Sequence, residues 1–122
     1  LEQLDFLVLC CPLTDKTRNM LNFELLDSII KPLILVNVSR GELLNEDVLT
    51  YGLEEGKFKG IALDVFQEEP LPPTSRLRNY DNIIFGSHNA SNTREAVTRV
   101  SEVALQSMRA MLDGSVMRVN HE

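Results

Sequence analysis

Three side chains in this sequence could act together on a small organic acid. They are Arg40, Glu69 and His88, and each follows a short apolar segment. The planar guanidinium of an arginine matches a carboxylate, and a histidine imidazole transfers protons near neutral pH. A carboxylate beside the histidine would orient its ring. The three residue types together suit a 2-hydroxy or 2-keto acid, whose carboxylate the arginine binds and whose hydroxyl proton the histidine moves.

Each of these residues also has a plainer interpretation. Arg40 is close enough in sequence to pair with Glu42 or Glu46, which would make it structural. Glu69 lies in an acidic stretch, and acidic residues in loops are commonly only solvated. A single histidine such as His88 is more often structural than catalytic. Residue type and spacing alone leave both interpretations open.

Four short apolar segments are typical of strands in a parallel sheet, where both faces are buried. The segments are residues 6–11, 33–38, 60–65 and 82–86. Helical segments alternate with them, which predicts an α/β fold of about four parallel strands with flanking helices. Ligands of such sheets bind beyond the carboxyl ends of the strands. Arg40, Glu69 and His88 would all lie at that edge.

Capping residues mark where the helices begin and end. Asn22 and Asn45 are predicted N-caps, and Gly56 is the glycine expected just past the second helix. A long C-terminal helix is predicted after Asn92, which has capping-box spacing to a glutamate. Its apolar residues recur at spacings of three and four, and Gly114 is predicted to end it.

The composition argues against several classes of protein. The 122 residues fit one domain, and 18 acidic against 12 basic residues give a net charge of −6. That charge argues against nucleic acid or an anionic membrane as a partner, and no apolar run approaches the roughly 18 residues of a membrane span. The adjacent Cys10 and Cys11 suit neither a disulfide nor a metal site. We expect buried thiols, a cytoplasmic protein and no metal.

Five motifs follow one another along the chain: Pro-Leu-Thr at 12–14, Asn-Val-Ser-Arg-Gly at 37–41, Asp-Val-Phe at 64–66, Glu-Glu-Pro at 68–70 and His-Asn-Ala-Ser at 88–91. Their combination resembles the C-terminal part of the D-isomer-specific 2-hydroxyacid dehydrogenase family, and the match runs from near residue 4 to the C-terminus. The resemblance implies a partial Rossmann-like fold. Residues 1–90 would be the second half of an NAD-binding domain, and residues 91–122 a C-terminal helix and tail that return to a substrate domain.

The resemblance implies roles for nine residues. Arg40 would bind the substrate carboxylate, His88 would be the acid/base, and Glu69 would pair with that histidine. Six residues would contact NAD near its nicotinamide: Pro12, Leu13, Val38, Ser39, Asp64 and Ser91. The implied reaction is reversible hydride transfer between NAD(H) and a D-2-hydroxy acid such as 3-phosphoglycerate, glycerate (the reduced form of hydroxypyruvate) or lactate. NADP is not excluded.

The sequence lacks the Gly-x-Gly-x-x-Gly cluster that holds a pyrophosphate, since its six glycines are scattered. We therefore expect a fragment that is inactive alone. Its first strand would be an open edge, which predicts a homo-oligomer. Two alternatives remain: an NAD(H)-sensing binding protein without enzymatic activity on the same scaffold, and an inactive product of a truncated gene.

Overall fold

Four parallel strands form one sheet in the computed structural model, which describes residues 3–114. The sheet has the order β1-β2-β3-β4, so neighbouring strands in the sheet are also consecutive in the chain. The strands are β1 (Phe6–Leu9), β2 (Leu33–Asn37), β3 (Phe58–Leu63) and β4 (Ile83–Phe85). The α/β prediction with about four parallel strands is confirmed.

Short helices connect these strands and begin where the sequence predicts. Helix α1 (Phe23–Asp27) follows Asn22, whose side chain accepts from the backbone N–H of Leu25. Helix α2 (Glu46–Glu54) follows Asn45, which caps it in the same way. Two short 3₁₀ helices, Gly41–Leu43 and Arg76–Asn79, lie in the loops after β2 and β3.

The hydrophobic core lies on one face of the sheet. Alternate residues of β2 and β3 point into it, and the buried faces of α1 and α2 cover it. Its most buried members include Leu26, Leu33, Leu35, Leu43 and Ile61. The core therefore fixes the strands from one side, and their carboxyl ends emerge together at one edge.

The first strand departs from the prediction that both its faces are buried. Phe6 is 60% exposed and Val8 is 50% exposed, while Leu9 is buried. Val8 aligns through the register with Val36, Ala62 and the exposed Ile84 on the other strands. The apolar run of β1 thus provides one buried and one open face.

The prediction of buried cysteines is also wrong. Strand β1 ends at Leu9, which is the last residue paired with β2, so the chain leaves the sheet before it reaches the thiols. Cys10 is exposed, and Cys11 is half-buried with its Sγ 3.7 Å from the sulfur of Met20. An apolar run does not show where strand pairing stops.

The described residues divide into two compact units, the first ending at Ala90 and the second beginning at Ser91. Helix α3 (Arg94–Leu112) forms the described part of the second unit, and none of its residues is buried. Its N-cap is Thr93 rather than the predicted Asn92, because the Thr93 hydroxyl accepts from the N–H of Ala96. The predicted tail beyond Gly114 lies outside the described residues.

Among the helices of residues 3–114, none is long and apolar enough to cross a membrane.

Candidate active site

Two of the three predicted catalytic side chains are in direct contact. Nδ1 of His88 lies 2.8 Å from Oε2 of Glu69, although nineteen residues separate them in the chain. An ionised carboxylate accepts only, so Nδ1 carries the shared proton and Nε2 remains for another partner. The hydrogen bond to His88 holds the pKa of Glu69 below its ordinary value, and a backbone N–H acts in the same direction. The carboxylate is therefore ionised at neutral pH.

The loop after β3 folds back on itself to aim Glu69. The backbone N–H of Phe66 donates to Oε1 at 2.9 Å, so the two carboxylate oxygens have different partners. The ring of Phe66 packs on that of Phe85 with centroids 6.1 Å apart, which ties this loop to the end of β4. Sequence reasoning did not identify Phe66, because its contribution is a backbone N–H that any residue type could supply.

Asp64 anchors the loop that carries His88. Its two carboxylate oxygens accept from the N–H groups of Asn89 at 3.1 Å and Ala90 at 2.7 Å, and its carbonyl accepts from the N–H of His88 at 2.8 Å. His88 itself adopts a left-handed backbone with φ of 57°. A Cβ on Gly86 would lie 2.3 Å from an Asp64 carboxylate oxygen, so this close approach needs glycine.

The turn that carries Arg40 is held by a buried asparagine. The Asn37 side chain, fully buried, donates to the carbonyl of Arg40 at 2.9 Å and accepts from the N–H of Ser39 at 3.1 Å. The next residue, Gly41, packs so tightly that a Cβ there would lie 1.9 Å from the Phe66 carbonyl carbon. This contact sets the Arg40 turn directly against the loop that leads to Glu69.

The Arg40 side chain does not join the Glu69–His88 pair. Its guanidinium is exposed and donates to the carbonyl of Ser39 at 2.7 Å. It does not pair with Glu42 or Glu46 either. The latter accepts instead from the backbone N–H of Arg76. The convergence predicted from sequence is thus seen for two residues of three.

Five of the six residues predicted to contact NAD lie at the carboxyl ends of β1, β2 and β3 or just beyond them. Pro12 and Val38 are exposed, while Leu13, Ser39 and Asp64 are half-buried. The Ser39 hydroxyl donates to the carbonyl of Cys11, which joins the ends of β1 and β2. The sixth residue, Ser91, is exposed and belongs to the second unit. The roles of all six stay predictions.

These residues fit one end of the implied cofactor. An exposed Val38 side chain offers an apolar surface for a flat ring, and a carboxylate has about four acceptor positions, of which Asp64 uses two. A carboxamide donor could use another. Nothing in the glycine pattern provides a phosphate-binding turn, so the residues present match the nicotinamide end of NAD and not its pyrophosphate.

A cavity of about 480 Å³ adjoins the pair of titratable side chains. Its lining combines apolar and charged residues: Phe66, Glu69, Leu71, Arg78, Phe85 and His88. Sequence reasoning did not single out Arg78, since an arginine in a polar loop carries no signal of its own. Arg78 lies on the second 3₁₀ helix, and its guanidinium donates to the carbonyl of Leu71, seven residues earlier in the chain.

Comparison with known proteins agrees with this geometry. The family model described as D-isomer specific 2-hydroxyacid dehydrogenase, NAD binding domain, matches residues 1–90. A glyoxylate reductase from Thermofilum pendens is 39% identical over 116 residues, which cover 95% of this chain and 34% of that protein. The chain therefore spans about a third of the length of the curated relatives it matches.

Solved structures lead to the same family. A D-isomer specific 2-hydroxyacid dehydrogenase family protein from Klebsiella pneumoniae superposes with a TM-score of 0.83 and 31% identity, over 98% of this chain and 39% of that one. A D-lactate dehydrogenase from Aquifex aeolicus, complexed with NAD and lactic acid, has a TM-score of 0.77 and 27% identity, over 93% of this chain and 39% of that one. The chain belongs to the D-isomer specific 2-hydroxyacid dehydrogenases, as part of their NAD-binding domain.

Proposed function

We propose that the protein to which this chain belongs is an NAD-dependent D-2-hydroxyacid dehydrogenase. The observation that carries the proposal is the 2.8 Å contact between Nδ1 of His88 and Glu69, at the carboxyl edge of a parallel sheet. A carboxylate on one ring nitrogen fixes the tautomer and orientation of the imidazole, which is what a general acid/base requires.

The proposed roles divide one reaction among three side chains. When a keto acid is reduced, Nε2 of His88 donates a proton to the carbonyl oxygen, which becomes the hydroxyl. Glu69 stays ionised and stabilises the charged form of the imidazole before that transfer. Arg40 binds the substrate carboxylate through its two-pronged guanidinium. NAD(H), when bound, supplies or accepts the hydride. In the reverse direction His88 takes the proton back.

The proposed substrates are small 2-keto acids and their D-2-hydroxy partners. Glyoxylate and hydroxypyruvate are the first to test, because the Thermofilum relative is a glyoxylate reductase. Lactate and 3-phosphoglycerate with their keto partners follow. We propose that residues outside this chain decide among these acids, since the chain spans about a third of the length of its relatives.

The direct test is a keto-acid screen on the complete protein, followed by steady-state kinetics of His88→Gln. We expect kcat to fall by roughly 10²–10⁴ with little change in KM, as for loss of a general acid. Unchanged melting temperature and NADH affinity would serve as controls for folding. A wild-type protein that binds NADH but reduces none of the acids would instead support an NAD(H)-sensing role.

We also propose that residues 1–122 alone neither bind NADH tightly nor turn over a keto acid. The residues here fit only the nicotinamide end of the cofactor, and we propose that the second unit belongs with a substrate domain. Saturable NADH binding by the isolated chain, seen as a fluorescence change, would contradict this.

Homo-oligomerisation is the last part of the proposal. Strand β1 is an edge strand of the sheet, and its Phe6 and Val8 side chains are exposed. Such edges favour association. Sedimentation of residues 1–122 as a monomer at every concentration tested would contradict it.

A further inference from the structure

The loop that carries Glu69 has few backbone N–H groups of its own that can donate hydrogen bonds. Pro70, Pro72 and Pro73 have no backbone N–H, so three of the four positions 70–73 cannot donate a hydrogen bond. The carboxylate of Glu69 is about a third exposed and must still meet Nδ1 of His88 on another loop. Within the loop, the backbone N–H of Ser75 donates to the carbonyl of Pro72 at 3.1 Å, and a second donor to this backbone comes from further along the chain.

The guanidinium of Arg78 is that donor. Its Nε donates to the carbonyl of Pro72 at 2.9 Å, and Nη2 donates to the carbonyl of Leu71 at 2.6 Å. One planar group thus binds two consecutive carbonyls, two and three residues after Glu69. Hydrogen bonds from a charged donor are stronger than neutral ones, and two at once also fix direction. Arg78 lines the same cavity as Glu69 and His88.

Arg78 is itself attached to the core through its own 3₁₀ helix, Arg76–Asn79. The Ser75 hydroxyl donates to Oε1 of Glu46 at 3.0 Å, and the backbone N–H of Arg76 donates to the same oxygen at 2.8 Å. Glu46 is the first residue of α2. Direct contacts therefore connect α2, the 3₁₀ helix and the proline-rich loop.

We propose that Arg78 is a positioning residue, which holds the Glu69 carboxylate on Nδ1 of His88 through the carbonyls of Leu71 and Pro72. Arg78 matters for the reaction only if His88 is its acid/base, so this role rests on the proposed function. Loss of Arg78 should slow the proton-transfer step and leave keto-acid binding unchanged, because the substrate carboxylate is assigned to another arginine.

The experiment compares Arg78→Met, Arg78→Lys and a matched control, Arg76→Met, in the complete protein. Arg76 lies on the same 3₁₀ helix, but its guanidinium pairs with Asp47 rather than with the loop. Kinetics give kcat and KM, and ¹³C NMR follows the Glu69 carboxyl titration, assigned with Glu69→Gln. In Arg78→Met we expect kcat to fall roughly tenfold at unchanged KM. The pKa of Glu69 should rise towards its ordinary value.

The two other variants separate geometry from charge. Lysine keeps the charge of Arg78 but can bind only one carbonyl well, so Arg78→Lys should restore kcat and the lowered Glu69 pKa only in part. Arg76→Met should match the wild type in both measurements. Equal kcat in Arg78→Met and Arg76→Met, with equal titration of Glu69, would overturn the role of Arg78.

The titration keeps the two proposals distinguishable because it does not need turnover. A wild-type protein with no activity, in which Arg78→Met still raises the pKa of Glu69 and Arg76→Met does not, would overturn the proposed function and retain the positioning role. An active wild type whose Arg78→Met variant titrates normally and keeps its kcat would do the reverse.

Discussion

The Glu69–His88 pair and Arg40 follow three strands of one sheet, but they are supported very differently. The pair is held by hydrogen bonds from the loops after β3 and β4. Arg40 extends from a single turn whose backbone is fixed by the buried Asn37, and its exposed guanidinium bonds only the carbonyl of its neighbour among the described residues.

This difference in support corresponds to the two roles proposed for these side chains, proton transfer and binding of the substrate carboxylate. The proposed acid/base role needs a histidine ring that is oriented before substrate arrives, and the 2.8 Å contact with Glu69 orients the ring of His88. A carboxylate-binding guanidinium can complete its hydrogen bonds with the substrate itself. The arrangement of Arg40 agrees with that second task, provided that its turn stays in place beside the loop of Glu69.

Replacing Gly41 with alanine should disrupt both the turn of Arg40 and the loop that leads to Glu69. A Cβ would lie 1.9 Å from the Phe66 carbonyl carbon, so the two loops must separate. We expect the free energy of unfolding to fall by roughly 2–4 kcal/mol, measured by urea denaturation. Gly60→Ala is the control, since its Cβ would meet only an ordinary 3.5 Å contact. Similar losses in both variants would show that the contact at Gly41 is unimportant.

Arg40→Met should weaken keto-acid binding and leave the Glu69–His88 pair unchanged. Loss of charged hydrogen bonds to the substrate carboxylate costs roughly 1.5–3 kcal/mol, which corresponds to a ten- to hundredfold rise in KM for the keto acid. The Glu69–His88 contact should persist, because Arg40 does not bond either residue. Arg40→Lys should recover part of the affinity. An unchanged KM in Arg40→Met would remove Arg40 from its proposed role.

Asp64→Asn should loosen only the histidine loop. An amide can accept through one oxygen where the carboxylate accepts through two, so one of the N–H groups of Asn89 and Ala90 loses its partner. We expect roughly 1 kcal/mol of lost stability and faster amide exchange at residues 89 and 90. Unchanged exchange there would mean that Asp64 does not anchor His88. The turn of Arg40 should exchange as in the wild type.

The smallest effect concerns acid stability. The folded pKa of Glu69 lies below its ordinary value of 4.5, so the ionised carboxylate stabilises the fold above that pH. The contribution is lost as pH falls from 4.5 through the lowered pKa. Both side chains are partly exposed, 36% for Glu69 and 49% for His88, so solvent screening keeps it below about 1 kcal/mol.

Glu69→Gln should therefore lose less stability on acidification than the wild type does. The measurement is the free energy of unfolding as a function of pH, from about pH 7, where the carboxylate is ionised, down to values below its ordinary pKa of 4.5. Glu68→Gln, the neighbouring carboxylate, is the matched control and should behave as the wild type. An identical pH dependence in Glu69→Gln would show that the pair adds nothing to stability.

The sequence predicts the parts of this molecule that depend on local patterns. Apolar runs locate all four strands, and Asn22 and Asn45 cap their helices as expected. Because parallel strands place their carboxyl ends at one edge, the approximate meeting place of Arg40, Glu69 and His88 also follows from order alone.

Features that depend on pairing and packing could not be predicted. The exposure of Cys10 follows from where β1 stops pairing. Thr93 rather than Asn92 caps α3, because the Thr93 hydroxyl accepts from the N–H of Ala96. The role of Arg78 requires a loop to fold back on a helix. No single-sequence pattern encodes such long-range hydrogen bonds, whose partners are mostly backbone atoms.

The left-handed backbone of His88 places stability and chemistry in opposition at one residue. A non-glycine residue in this conformation costs roughly 1–3 kcal/mol, whereas glycine adopts it freely. A screen for thermal resilience alone would therefore favour replacement of His88 by glycine, which would remove the imidazole that the proposed reaction needs. Directed evolution of this protein should consequently select for turnover and heat tolerance together. Selection for stability alone would favour glycine at this left-handed position and so remove the imidazole.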